Sequence, residues 1–412
     1  MLDQFFNDEA AMQRLRALPV GSQLDSFVVV LSALGYARAT IRDRVWTLAA
    51  LGRWLTRRGL TAADLSADIA AAFLNGRPHG PRAGRGDAAT LRLFLAHLEA
   101  DGLIPSAPSI SPTPLAQLRA RYEAHLQHVR GLSPVTGVRQ WDVLGRFLRE
   151  RFGDGPIALC AITVDDVTRY VTAQIPGRSP ATAQLQASTL RSFLRFLWQT
   201  GQTAVDLTAA IPSVRRWRLV DVPKYLPRAD VQRLLATCDR TSPVGRRDYA
   251  IVLLLARLGL RGGEIVRLEL DDVDWHAGEL VVRGKGSAQS RLPLPSDVGD
   301  AVASYLRRDR PGCATRRVFV RARAPHRGFG HPSTVSTIVC RALARAGVHA
   351  PMKGAHVLRH SLATELLQRG VSLAVIGDVL RHRQAQTTEI YAKVDLTRLR
   401  LLAQPWPSGG AR

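Results

Sequence analysis

Apolar positions in the first half of the chain recur at helical spacing, and the pattern occurs twice. The run Thr90-Leu-Arg-Leu-Phe-Leu-Ala-His-Leu-Glu-Ala-Asp-Gly102 is echoed by Thr189-Leu-Arg-Ser-Phe-Leu-Arg-Phe-Leu-Trp-Gln-Thr-Gly201. Upstream of each, Leu51-Gly-Arg-Trp-Leu55 matches Leu144-Gly-Arg-Phe-Leu148. The shared leucines and phenylalanines fall on one helical face, and the closing glycine stands where a C-cap belongs. Two copies predict a tandem pair of small helical domains, over 1–103 and 114–210, and not a solenoid. A Pro/Ser-rich stretch, 104–114, and a basic one, 212–223, separate the parts. The second linker carries Trp217 and could cross a polyanionic backbone or simply be exposed. A Gly/Arg/Pro loop at 77–85, inside the first copy, could touch phosphate or be merely disordered.

The pattern changes after Tyr225. A helix is expected to open behind Leu226-Pro, and 248–258 is almost wholly apolar, as a buried helix would be. Residues 279–283 and 291–295 flank a glycine-rich turn and read as a hairpin. Helices are expected again over 296–308, 332–346, 357–368 and 373–380. The third part, 222–400, is therefore mixed α+β with one small antiparallel sheet, followed by a tail over 401–412. The fold class is mainly α.

Charge narrows the class of partner. Lysine and arginine number 57 against 34 acidic residues, a formal net charge of +23. That excess favours a polyanion, with duplex nucleic acid first. High genomic GC content would explain the preference for arginine, but it explains the net charge less well. No basic amphipathic helix or lipidation signal supports a membrane surface instead. The N-terminus lacks the basic start and apolar core of a signal peptide, and the longest apolar runs are too short to span a bilayer. Four cysteines, Cys160, Cys238, Cys313 and Cys340, are scattered without paired spacing, which argues against a disulfide framework and a cysteine zinc site. A reducing, cytoplasmic setting is expected.

The chemistry concentrates near the C-terminus. His356 and Arg359 lie one helical turn apart and point the same way. His382 and Tyr391 are separated by a short segment, while Arg261 and Lys285 stand upstream. Each has a bland reading alone: Tyr391 as packing, His382 as surface, Arg261 as a partner of Glu264, and Lys285 as a solvated turn residue. Together, a tyrosine, two histidines, two arginines and a lysine can attack a phosphodiester without a metal. His356 and His360 at i, i+4 raise a zinc reading, but Val357 stands where a metalloprotease-type site wants glutamate. Gly284-Lys-Gly-Ser lacks the spacing of a phosphate-binding P-loop. No cofactor, no metal and no small-molecule substrate is expected.

Ala256-Arg-Leu-Gly-Leu-Arg-Gly-Gly-Glu-Ile, the lysine hairpin, His356-Val-Leu-Arg-His-Ser-Leu-Ala-Thr and His382 through Thr387-Thr-Glu-Ile-Tyr-Ala resemble the tyrosine recombinase (phage integrase) family. The resemblance covers about 225–394, and 114–209 resembles that family's helical, SAM-like core-binding domain. One departure is visible: Arg381 stands where the family usually has glycine before its second histidine. The resemblance implies a catalytic set of Arg261, Lys285, His356, Arg359, His382 and Tyr391. In it Tyr391 attacks phosphorus to form a 3′-phosphotyrosyl link, and Arg261 and Arg359 clamp the scissile phosphate. His382 donates to that phosphate, His356 partners the tyrosine proton, and Lys285 protonates the leaving hydroxyl. His360 and Glu264 are expected in support. The implied partner is duplex DNA, held by a homotetramer or by a heterotetramer with related recombinases. The extra N-terminal copy leans toward a mobile-element integrase or transposase. A type IB topoisomerase-like nicking-closing enzyme and a catalytically silent DNA-binding accessory protein are the competing readings. Residues 395–402 form an amphipathic stretch, expected to dock on a neighbouring protomer or to pack in cis.

Overall fold

The computed structural model describes residues 1–76, 86–105, 113–153, 155–174, 176–214, 222–284 and 289–394. The 77–85 loop, much of both linkers, Lys285 and the 395–402 stretch lie outside them. The chain falls into two compact units, Met1–Ser106 with Asp221–Arg412, and Ala107–Val220. The first unit thus joins the segments expected as first and third domains, although each keeps its own hydrophobic cluster. Within that unit the His326 amide donates to the Leu34 carbonyl at 3.0 Å.

Among the described residues, the N-terminal segment holds five α-helices: α1 (Glu9–Arg16), α2 (Gly21–Ala33), α3 (Arg38–Thr56), α4 (Ala67–Asn75) and α5 (Asp87–Ala100). The second unit holds α6 (Pro114–Ala124), α7 (Pro134–Phe152), α8 (Val164–Gln174) and α9 (Pro180–Gln199). The duplicated sequence produces duplicated packing. Leu91, Phe94 and Leu98 on α5 are buried, as are their counterparts Leu190, Phe193 and Leu197 on α9. Gly102 and Gly201 follow these helices with φ of 70° and 67°, left-handed values that a glycine adopts without a Cβ clash.

The remaining segment contains α10 (Arg228–Ala236), α11 (Pro243–Leu258), α12 (Gly262–Arg267), β1 (Val273–Asp274), β2 (Glu279–Arg283), β3 (Gln289–Pro293), α13 (Ser296–Arg308), α14 (Ser333–Arg345), α15 (His356–Gln368) and α16 (Leu373–Val379). The strands form one antiparallel sheet in the order β1-β2-β3, with Val281 opposite Arg291. The apolar stretch behind α11 is central to the core, with 250–255 all buried. This helix begins earlier than its apolar run suggests. Ser242 caps it, accepting from the Gly245 amide at 3.1 Å, and Pro243 fits its first turn. The four cysteines are free. Among the described residues, no helix is long and apolar enough to cross a membrane.

Candidate active site

The turn after α11 builds the centre of the site. Gly259 ends the helix at φ 59°, and Arg261 caps α12 at its N-terminus. Glu264, one turn into α12, is buried and reaches back to that cap. Its Oε2 accepts from the Arg261 backbone N–H at 2.8 Å, and its Oε1 accepts from Arg261 Nη1 at 2.7 Å. Burial alone would raise the Glu264 pKa. The Arg261 amide, Arg381 and the Arg261 side chain outweigh it and hold the carboxyl below its ordinary value.

Helix α15 supplies His356, Arg359 and His360. Arg359 is buried, and its guanidinium donates to the carbonyls of Gly259 and Leu380. Burial, then the charges of Arg261 and Arg381, lower it to about 10, so it stays cationic at neutral pH. His356 opens the helix at its solvent-facing end, and its pKa is lowered by partial shielding and then by Arg359.

Tyr391 is 2% exposed, although its hydroxyl is a nucleophile by sequence expectation. The hydroxyl lies 2.9 Å from Nδ1 of His360. This differs from the expectation that His356 would partner the tyrosine. The two histidine rings are 6.4 Å apart between centroids, and the one a turn further along α15 faces the segment Glu389–Val394 that carries Tyr391. Burial and the neighbouring His356 and Arg359 depress the His360 pKa, which favours a neutral ring. With Nδ1 unprotonated, the Tyr391 hydroxyl donates to it. Burial pushes the phenol itself up to about 12, against the pull of Arg359, so deprotonation requires such an acceptor.

His382 follows α16, with Nδ1 2.7 Å from the Thr388 hydroxyl. Its pKa is lowered to about 4 by burial and by Arg359, Arg261 and Arg381, so the ring is neutral at pH 7. A neutral ring whose Nδ1 accepts from Thr388 carries its proton on Nε2, as a donor.

A cavity of about 660 Å³ opens beside this cluster, lined among others by Arg261, Arg267, Arg381, His382 and Arg383. Gly284, at the end of β2, also lines it. Lys285 is the next residue and lies outside the described residues. Arg261 and His382 therefore share one cavity, while Arg359 is buried on the carbonyl of Leu380, next to Arg381, and the Tyr391 amide donates to the carbonyl of Thr388, whose hydroxyl partners His382. Arg381 at this cavity had been noted only as a departure in the sequence. Among the described residues, no group of three or more His, Cys, Asp or Glu side chains is arranged to hold a metal ion.

Residues 224–398 match the phage integrase family. The chain is 44% identical to the integrase/recombinase y4rA of Sinorhizobium fredii, over 98% of both chains. It is 33% identical to the tyrosine recombinase XerD of Listeria monocytogenes, over 56% of this chain and 76% of that one. Its fold is similar to that of the XerH site-specific recombinase in a post-cleavage complex, with a TM-score of 0.55 and 19% identity over 76% of this chain and 94% of the other. These likenesses do not favour the topoisomerase-like and accessory readings. The identity along almost the whole chain places it in the phage integrase family of tyrosine recombinases, enzymes of site-specific recombination that cleave and rejoin DNA.

Proposed function

We propose that this recombinase serves a mobile genetic element, as an integrase or transposase, and that it cuts through Tyr391. The single observation that carries the residue assignment is the contact between the Tyr391 hydroxyl and His360 Nδ1, at 2.9 Å. In this reading the scissile phosphate enters the cavity. Arg261 and Arg359 stabilise its non-bridging oxygens, which suit planar, permanently charged guanidinium groups. His382 donates from Nε2 to the same phosphate. His360 takes the phenolic proton, a part for which His356 stands one turn away. The Tyr391 oxygen bonds to phosphorus and the 5′-oxygen leaves, protonated by Lys285. The new phosphotyrosyl ester keeps the bond energy, so rejoining needs no ATP. Arg359 is committed to two carbonyls and Tyr391 is buried in the free chain, so phosphate entry must redirect both side chains.

The proposed organisation is threefold: helical DNA-binding domains over 1–103 and 114–210, and a catalytic domain over 222–400. The net charge of +23 supports a grip made mainly on phosphates. Exchange between two duplexes requires four active sites, hence a tetramer on DNA, of this chain alone or with related recombinases. The proposed setting is the cytoplasm.

A nicked suicide duplex carrying the recombination site tests the reading. Wild type should give a denaturant-resistant protein–DNA band without added metal or ATP, and Tyr391→Phe should give none. Retained adduct in Tyr391→Phe would assign the nucleophile elsewhere. Gel-shift binding with no adduct on any flanking DNA would remove the catalytic assignments.

A further inference from the structure

Arg381 has no part in the reaction outlined above, yet its side chain lies against that reaction's phosphate-facing groups. Its backbone is held at φ 55°, in the left-handed region, and it is the one non-glycine residue with positive φ among those described. Glycine occupies such a position without a steric cost, whereas a side chain raises the energy. The side chain here is largely enclosed, 9% exposed, and it is tied down at several points. Its Nη2 donates to Glu264 Oε2 at 3.0 Å, and its Nη1 donates to the Val379 carbonyl at 2.9 Å. Its own carbonyl oxygen lies 3.4 Å from Arg261 Nη2.

These contacts converge on one group. Glu264 Oε1 takes Arg261 Nη1, while Oε2 takes both the Arg261 amide and Arg381 Nη2. The carboxylate is therefore fixed at both oxygens, and Arg261 is held by Glu264 and by the Arg381 carbonyl. Without the Arg381 guanidinium, both oxygens would be held by Arg261 alone, so the carboxylate would lose the one anchor that is independent of the side chain it positions. We infer that Arg381 is a positioning residue for strand cleavage, which fixes the Arg261 guanidinium toward the cavity by clamping Glu264. The inference rests on the reading of Arg261 as a phosphate-binding group. It does not require Arg381 to touch the DNA.

The test uses the full-length chain and the nicked suicide duplex. Arg381→Gly keeps the left-handed turn and removes the clamp on Glu264, along with the side chain's bonds to the Val379, Leu258 and Gly259 carbonyls; the Glu264 background below separates the two. The rate of adduct formation at saturating DNA should fall roughly 10- to 100-fold, the scale expected from a displaced catalytic group, with duplex affinity unchanged within about 3-fold. In a Glu264→Ala background, which leaves Arg381 no acceptor there, Arg381→Gly should cost no more than about 2-fold, because groups that act as a unit are not additive. An adduct rate for Arg381→Gly equal to wild type overturns the inference, as does an equal loss in the two backgrounds. If Arg381→Gly melts far below wild type, Arg381→Asn decides by the same criteria, since asparagine tolerates the turn but cannot reach Glu264. Wild type and Tyr391→Phe run alongside: failure of that pair sinks the proposed nucleophile, whereas failure of the Arg381 variants alone sinks only the clamp.

Discussion

Replacing Glu264 by alanine should destabilise the segment built around α11 and α15 more than any change at a surface ion pair. The carboxylate is 2% exposed, and it is shared by Arg381, 9% exposed, and Arg261, 38% exposed. The Arg261 half is partly screened by water and contributes little by itself. The Arg381 half is enclosed, so its loss leaves a guanidinium without its counter-ion beside Arg359. Removing one partner of a buried pair costs about 3–5 kcal/mol, and the screened half argues for the low end, about 3 kcal/mol. For a domain of this size that lowers the melting midpoint by roughly 6–12 °C. Glu264→Gln keeps an acceptor and should lose about 1–2 kcal/mol. Urea denaturation followed by circular dichroism gives both values from the shift in midpoint at unchanged slope. A loss below about 1 kcal/mol for Glu264→Ala would refute the reasoning, because the carboxylate would then behave as an exposed one.

Three further outcomes follow from the geometry. His382 has a folded pKa of about 4 against an ordinary 6.5, so below pH 6.5 the unfolded chain takes up a proton that the folded one refuses. Stability should therefore fall as pH drops from about 6.5 toward 4, and His382→Gln should flatten that limb of a melting-versus-pH series; an unchanged limb would mean the ring is not held neutral. Phe94 and Phe193 are fully buried at equivalent positions of the repeat, so each change to alanine should cost about 3–5 kcal/mol in urea denaturation, and a marked inequality would deny equivalent packing. At Gly259, with φ 59°, an added Cβ would lie 2.8 Å from Leu380 Cδ2. Gly259→Ala should lose at least about 1–2 kcal/mol and slow adduct formation, because the Gly259 carbonyl holds Arg359; wild-type melting and cleavage would show that the turn adapts.

Much of this chain is legible locally. The repeated Leu and Phe-Leu spacing sets the helices of both N-terminal copies, because a helical face needs only residues three and four apart to agree. The closing glycines at 102 and 201 are equally local, since a left-handed C-cap is a property of one residue. The alternation around the glycine-rich turn sets the hairpin for the same reason. Residue chemistry alone also marked Arg261, His356, Arg359, His382 and Tyr391 as a set that can act on a phosphodiester.

Which of these groups touch is a matter of packing between distant segments. No local rule says that Tyr391 meets His360 and not His356; the angle of the Glu389–Val394 segment against α15 does. Glu264 could be read as a cap partner of Arg261 from its spacing. Its second cation, Arg381, lies 117 positions away along the chain and arrives only when the end of α16 packs beside the Gly259 turn. The substitution at 381 was visible as a letter, but its left-handed backbone and its grip on Glu264 were not. The sequence by itself therefore determined the elements and the kinds of chemistry, because both depend on near neighbours and residue type. The tertiary structure decided the partners, because those depend on which surfaces fit.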